Sequence, residues 1–459
     1  MQEFDLIVIG TGVAGGRVAS RCAKDWKVAV VDSRPFGGTC SQRGCDPKRI
    51  LGAAAELADR HRRLAEKGIV RGDVRLDWGS LMRFKREYTE PIPGRTERKF
   101  RDLGIAAFHG TARFTGEREI VVSSTNGTSE LRGRAIVIAT GMQSRSIGID
   151  GESMLTSSDA FLDLDRLPER IVFVGAGYIG MEFAHLAARF GCDTVVLNDT
   201  GRPLEAFDAD AVAALEKASA HAGIQIVNNA SVVGISRIGE TLSVRADTKQ
   251  GRTTYVCDIA VHGAGRIPAI GGLELSAANV EHSPAGVSVD PFLRSVSNPR
   301  VWAGGDCADT GGPPLTPVAS VDGSVLERNV QQALSGEQPA HRADYSGVTS
   351  AVFTVPPLAM TGMRESDAEA AGLRYRVLSG SLDHTYPIRR LNERGTFYKL
   401  LIEEESDRIL GAHLFGHGMD DTINLFALAI RAGMSAREMK RTMWAYPSMG
   451  ASIGYMLSS

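Results

Sequence analysis

Two cysteines stand five positions apart in the run Gly37-Gly38-Thr39-Cys40-Ser41-Gln42-Arg43-Gly44-Cys45-Asp46-Pro47-Lys48-Arg49. The other cysteines, at 22, 192, 257 and 307, are scattered, so no secreted disulfide framework absorbs the pair. A close pair of this kind serves either as a redox dithiol or as half of a metal site. The metal reading needs further ligands. The nearest histidine is His61 and there is no second cysteine pair, so the residues point to a dithiol and no resident metal is expected. Five residues of ideal helix advance about 7.5 Å, so a Cys40–Cys45 bridge requires a distorted turn. Gly44 and Pro47 make one plausible. A helix N-terminus with Arg43, Lys48 and Arg49 would lower a thiol pKa, and Asp46 would oppose them.

Two glycine loops supply a second chemistry. Residues 4–33 run through an apolar strand, the turn Gly10-x-Gly12-x-x-Gly15, a helical stretch, a second strand and Asp32-Ser33. Residues 170–199 repeat that order with Gly175-x-Gly177-x-x-Gly180 and end on Asn198-Asp199. The first glycine of each copy allows the tight turn and the second lets backbone N–H groups approach a pyrophosphate. The third lets helix and strand pack closely, with the helix N-terminus facing the negative charge. A polar or acidic residue some twenty positions on can take hydrogen bonds from a ribose. Two dinucleotide sites follow, one at Gly10, Gly12, Val13, Ala14, Gly15, Asp32 and Ser33, the other at Gly175, Gly177, Tyr178, Ile179, Gly180, Asn198 and Asp199.

The elements that position these residues are legible in outline. At about 150 residues per domain, 459 residues suggest roughly three domains, and 43% hydrophobic with 23% charged residues is ordinary for a globular protein. With 52 basic against 54 acidic residues there is no electrostatic footprint for nucleic acid or an anionic membrane. The longest apolar stretches, such as 135–139 and 425–430, fall far short of the roughly 20 residues of a spanning helix. A cytoplasmic enzyme without a targeting segment, acting on a small molecule, is expected. Residues 48–104 read as amphipathic helix and 105–138 as short strands around a turn at Thr125-Asn126-Gly127, while 224–262 read as an antiparallel hairpin region. From about 344 a third part shows strands near 349–354, 375–379, 396–402 and 408–415, then helices near 419–432 and 435–443. The fold class is α/β: two Rossmann-like dinucleotide-binding domains and a C-terminal α+β domain. The expected boundaries are 1–148, 149–268, 269–340 and 341–459, the first and third segments forming one domain.

From end to end the chain resembles the pyridine nucleotide-disulfide oxidoreductases, the flavoprotein family of glutathione reductase, dihydrolipoamide dehydrogenase and mercuric reductase. Besides the loops and the dithiol, the marks are Ala139-Thr140-Gly141, Gly265-Arg266-Ile267-Pro268, Gly304-Gly305-Asp306 and Leu315-Thr316-Pro317-Val318-Ala319. The resemblance implies a homodimer with its C-terminal domain at the interface. It implies FAD on the first loop, with Asp32 on the adenosine ribose, Thr111 and Ala112 passing the adenine, and Asp306 holding the ribityl chain. Gly38, Thr39, Arg49, Ala139, Thr140, Gly141, Thr316 and Ala319 would complete that site. NADH or NADPH would bind the second loop and Gly265, with Tyr178 lying over the flavin face. Asp199 would repel a 2′-phosphate and Arg202 attract one, and the balance leans to NADH. Cys45 would be the charge-transfer thiol and Cys40 the interchange thiol that meets substrate. Glu182 would pair with the basic residue after the dithiol, a lysine in the family's Pro-Ser-Lys triplet. Here the triplet is Pro47-Lys48-Arg49, so Arg49 takes the lysine's place, Lys48 replaces the serine, and an Arg49–Glu182 pair is expected.

The chain departs from the family at its end. Disulfide reductases of the family donate a His-Pro-Thr-x-x-Glu element across the dimer. Here the stretch is Tyr446-Pro447-Ser448-Met449-Gly450-Ala451, which would set Tyr446 against Cys40 of the other subunit. A phenol ordinarily titrates near about 10, so it donates a hydrogen bond but is a poor general base. Ordinary glutathione or lipoamide turnover is therefore not expected. A tyrosine here is similar to mercuric reductase, although no C-terminal cysteine pair accompanies it. His413 is read as structural, and Met443, Met449 and Met456 as packing residues. The expected reaction carries electrons from nicotinamide through flavin to the Cys40–Cys45 disulfide and on to a small disulfide or a thiol-reactive metal or metalloid. The alternative is a quinone reductase or NAD(P)H oxidase working at the flavin, with the dithiol as redox sensor.

Overall fold

The computed structural model describes residues 1–458. Its chain divides into two compact units, one built from Met1–Pro47, Lys85–Arg145 and Arg266–Tyr345, the other from Lys48–Phe84, Ser146–Gly265 and the chain from Ser346 onward.

The first unit is organised by one sheet. Its parallel strands are Ala106–His109, Val28–Asp32, Gln2–Ile9, Gly127–Ile138 and Val301–Ala303, extended by an antiparallel meander through Glu119–Ser124 and Thr111–Phe114. Leu6–Ile9 and Val28–Val31 are apolar at every position because both sheet faces are covered. Ile7, Ile9, Ala29 and Val31 pack into one core, and Leu6, Val8, Val28 and Val30 into the other, which also receives Val18, Trp302 and Leu326. The register pairs Leu6 with Val28 and Ile9 with Val31, so the Gly10 turn and Asp32 emerge at the same strand ends.

In the second unit a parallel sheet orders Ile224–Asn228, Asp193–Asn198, Arg170–Val174, Ile259–His262 and Leu155–Thr156. Only the middle of residues 224–262 is antiparallel, in the three strands Ser231–Ile238, Thr241–Thr248 and Gly251–Cys257. Ile224–Asn228 is a parallel edge strand, half covered, and its alternation of apolar and polar residues is indistinguishable from that of a hairpin strand. The C-terminal part is a five-stranded antiparallel sheet backed by the helix Met419–Ala432. Its strand Leu358–Gly362, pairing with Thr349–Val352 and Ile409–Phe415, does not stand out in the sequence, because Pro356-Pro357 immediately before it reads as a breaker. Residues 48–104 are helical as expected, in the three helices Cys45–Ala65, Trp78–Thr89 and Pro91–Asp102. No helix among the described residues is long and apolar enough to cross a membrane.

Candidate active site

The first glycine loop is closed by backbone contacts that leave no room for a side chain. Gly10 has φ +104°, and a Cβ there would lie 2.2 Å from the Ala139 carbonyl oxygen. One at Gly15 would lie 2.1 Å from Gly10 O, and one at Gly38 would lie 2.4 Å from Gly12 Cα. The helix Val13–Cys22 starts at Gly12 with no side-chain cap among the described residues, so its first N–H groups are left for a ligand to satisfy. Asp32 is held by the same loop. Its Oδ2 accepts from Thr11 N (2.9 Å) and Thr11 Oγ1 (2.7 Å), and its Oδ1 from Arg34 N (3.0 Å). Thr111 is exposed at its strand end, whereas Ala112 is buried in the core and offers a ligand at most its backbone.

A cleft of about 170 Å³ in the same unit is lined by Met142, Arg266, Asp306, Thr310, Pro313 and Val318. Burial pushes the Asp306 carboxyl above its ordinary value, Arg266 opposes this, and the charge of Asp322 adds to it. No side chain among the described residues hydrogen-bonds Asp306. An uncapped helix start, a cradle a Cβ would fill and a half-buried carboxylate that takes no side-chain hydrogen bond among the described residues together fit a dinucleotide carrying a polyol chain.

The second loop repeats the first in the other unit. A Cβ at Gly175, φ +103°, would meet Gly263 at 2.5 Å, one at Gly180 would meet Gly175 O at 2.1 Å, and Gly177 leaves the helix Tyr178–Arg189 uncapped. Asn198 is turned inward, its Nδ2 donating to Asn228 Oδ1 (2.9 Å) and Thr200 O (3.1 Å). Asp199 is therefore the residue left exposed at that strand end.

The dithiol is built by a helix that breaks. Gly38–Arg43 is helical, Gly44 leaves the helix at φ −135°, ψ −120°, and a new helix starts at Cys45. A Cβ at Gly44 would lie 3.0 Å from Thr39 O and 3.1 Å from Cys40 Cα. The break brings both thiols to one hydroxyl: Thr316 Oγ1 donates to Cys40 Sγ at 3.2 Å and lies 3.5 Å from Cys45 Sγ. Thr316 opens the helix Thr316–Leu334. The basic run does not lower the Cys40 thiol. Its hydrogen bond with Cys45 and its burial push it well up, Thr316 opposes them, and Cys45 and Asp46 add to the rise.

In the second unit Lys48, not Arg49, takes Glu182. Lys48 Nζ is ion-paired with Glu182 Oε2, both side chains being largely buried, and Glu182 Oε1 accepts from Phe353 N at 3.0 Å. Lys48 Nζ also lies 5.2 Å from the centre of the Tyr178 ring. The expected Arg49–Glu182 pair is absent because successive helical residues point about 100° apart. Arg49 faces Glu56 (2.9 Å), Asp420 (3.6 Å) and the Phe353 ring (4.5 Å) instead.

Tyr446 is 69% exposed. His413 is buried, with Nε2 3.1 Å from Met363 O, as a structural residue would be. Met456 and Met449 pack against the C-terminal core, but Met443 is 98% exposed and is no packing residue of its own chain. Asp208, Asp210 and Glu365 cluster in metal-ligand fashion, yet Lys399 Nζ fills the centre at 3.0, 2.6 and 2.5 Å, respectively. Two further arrangements had no signature in the sequence. Asp322, fully buried, accepts from Gly305 N (2.8 Å) and Tyr345 Oη (2.6 Å), and Tyr88 Oη donates to Asp46 Oδ2 (2.8 Å).

Residues 4–323 match the family described as pyridine nucleotide-disulphide oxidoreductase, and residues 348–456 match its dimerisation domain. The chain belongs to that family. A dihydrolipoyl dehydrogenase of Haloferax volcanii is 30% identical over 98% of this chain and 94% of that protein. A mercuric reductase of Bacillus cereus is 28% identical over 97% of this chain and 70% of that protein. Among solved structures, the Cu(II) complex of the HOCl-induced flavoprotein disulfide reductase RclA from Escherichia coli superposes with a TM-score of 0.87 at 26% identity, covering 100% of this chain and 99% of that one. The protein is thus an FAD-dependent pyridine nucleotide-disulfide oxidoreductase, and its dimerisation domain makes it a homodimer.

Proposed function

We propose that the protein is an NADH-dependent cytoplasmic reductase that passes electrons through Cys40 and Cys45 to a thiol-reactive metal ion, with small disulfides as poorer acceptors. The observation that carries this reading is the pair of thiols meeting at Thr316, where the hydrogen bond with Cys45 and burial push the Cys40 thiol up. Attack on a disulfide needs a thiolate prepared by a base, and Tyr446 stands where the family places a histidine. A metal ion needs no such base, because binding itself displaces the thiol proton. The likeness to a mercuric reductase and to a Cu(II) complex of a flavoprotein disulfide reductase supports the same acceptor class.

FAD, when bound, supplies the electron relay between nicotinamide and sulfur. The residues proposed to hold it are the Gly10–Gly15 loop, Asp32, Ser33, Thr111, Thr316 and Asp306. Lys48, anchored by Glu182, carries a fixed positive charge three residues along the helix that Cys45 begins. Cys45 keeps the sulfur charge at that helix N-terminus, and Cys40 exchanges with the acceptor. Two electrons leave the dithiol as the Cys40–Cys45 bond forms and the one proton held on Cys40 is released, enough to reduce one Hg(II) to the metal or two Cu(II) to Cu(I). For the nucleotide, Arg202 spends its guanidinium on Leu204 O (3.2 Å) and Glu205 O (2.8 Å), while Asp199 is exposed, an arrangement that supports NADH over NADPH.

The test is NADH and NADPH oxidation by the purified flavoprotein against Cu(II), Hg(II), glutathione disulfide, lipoamide and a quinone, with wild type and Cys40→Ser. Metal-dependent turnover that disappears in Cys40→Ser supports the reading. Turnover that persists in the variant, above all with the quinone, moves the reaction to the flavin and makes the dithiol a sensor.

A further inference from the structure

Asp46 occupies the first turn of the helix Cys45–Ala65, next to the dithiol. Tyr88, on the helix Trp78–Thr89, donates from its hydroxyl to Asp46 Oδ2 at 2.8 Å, which keeps the carboxylate from swinging away. Among the described residues Asp46 takes no other hydrogen bond and no ion pair. Of the basic residues that follow it, Lys48 pairs with Glu182, and Arg49 with Glu56 and Asp420. The charge of Asp46 is felt at Cys40, where it helps to hold the proton on the thiol. Tyr88 feels the same cluster. The Asp46 hydrogen bond, burial and the charges of Asp46 and Cys40 push its phenol up, and Arg95 is the cation that opposes them.

We propose that Asp46, held in place by Tyr88, is a specificity-determining residue that draws cationic acceptors to Cys40 and turns anionic disulfides away. The proposal deepens the metal-acceptor reading and rests on it for its biological meaning, but the field at Cys40 is measurable without any turnover. A carboxylate whose charge is felt at the reacting sulfur, partly screened by water, changes the local concentration of a monovalent ion about fivefold in each direction.

The experiment uses dithionite-reduced holoenzyme and two thiol reagents of equal reactivity type and opposite charge, trimethylammonioethyl and sulfonatoethyl methanethiosulfonate. In each case the Cys40 sulfur forms a mixed disulfide and methanesulfinate leaves. Peptide mass identifies Cys40 as the modified residue. The cation-to-anion rate ratio cancels the thiolate fraction, so it reads charge alone and a merely structural role for Asp46 would not move it. The ratio is expected to fall at least fivefold in Asp46→Asn, to fall less in Tyr88→Phe, where the carboxylate is released to solvent, and to shrink in wild type as salt is raised. An equal ratio in wild type and Asp46→Asn overturns the proposal. Should Asp46→Asn lose its flavin, a salt-insensitive wild-type ratio near unity overturns it equally. A ratio that falls as expected in a protein whose Cu(II) turnover ignores Cys40 leaves the charge selectivity standing and removes the acceptor reading.

Discussion

Lys48 and Glu182, 134 positions apart in the chain, form a largely buried ion pair, while Arg49 turns to a different set of carboxylates one helical step away. The two basic residues therefore differ in consequence, although they are adjacent and alike in charge.

Replacing Lys48 with alanine leaves Glu182 buried beside one backbone N–H, and the loss of one partner from a buried pair costs about 3–5 kcal/mol. Arg49→Ala removes contacts of a side chain that is 40% exposed and is expected to cost under about 1 kcal/mol. Denaturant midpoints of the two variants check the order. Equal destabilisation would mean that the pair has no special weight.

Thr316 gives its proton to Cys40 and so opposes the rise of that thiol. In Thr316→Val the Cys40 thiol should hold its proton to still higher pH. Loss of a hydrogen bond of about 1 kcal/mol slows alkylation of reduced Cys40 roughly fivefold at a fixed mildly alkaline pH. The pH dependence of iodoacetamide labelling measures it, and faster labelling in the variant would contradict the assignment of donor and acceptor.

Asp322 ties the Gly304-Gly305-Asp306 turn to Tyr345. Tyr345→Phe strips one donor from a fully buried carboxylate, a loss of about 1–3 kcal/mol, and loosens the turn that carries Asp306. Weaker FAD retention by the variant, followed as flavin released on dilution, is the expected result. Burial holds both Asp322 and Asp306 above the ordinary carboxyl value. The folded state binds these protons more tightly than the unfolded one, so their contribution is greatest below 3.8 and is lost as pH rises through the raised values.

Lys399 behaves in the opposite sense. Burial tends to raise Asp208, but the Lys399 hydrogen bond, the Ala211 backbone N–H and the charges of His413 and Lys399 outweigh it, and the carboxyl sits below its ordinary value. That contribution is present above 3.8 and is lost as pH falls through the lowered value. Lys399→Met leaves the buried Asp208 carboxylate without its cation and is expected to cost about 3–5 kcal/mol near neutrality. The gap in melting temperature between wild type and variant should narrow as the medium is acidified toward the carboxyl range, because the stranded Asp208 can then take a proton. A gap that widens on acidification would place the stabilisation elsewhere.

What the amino-acid sequence determined by itself was short in range. The glycine turns at Gly10 and Gly175 demand positive φ and a backbone approach that no Cβ permits, and these requirements act within a few residues. The same holds for Gly44, whose departure from the helix lets Cys40 and Cys45 meet. The family resemblance, carried by such local motifs, was legible for the same reason. Only the tertiary structure decided which of Lys48 and Arg49 reaches Glu182, that Thr316 stands over both thiols, that Tyr88 pins Asp46, and that Ile224–Asn228 joins its sheet in parallel. Each of these depends on the rotation of a helix about its axis or on the strand beside which a segment comes to rest. Those are settled by packing between residues tens to hundreds of positions apart, and no local pattern encodes them.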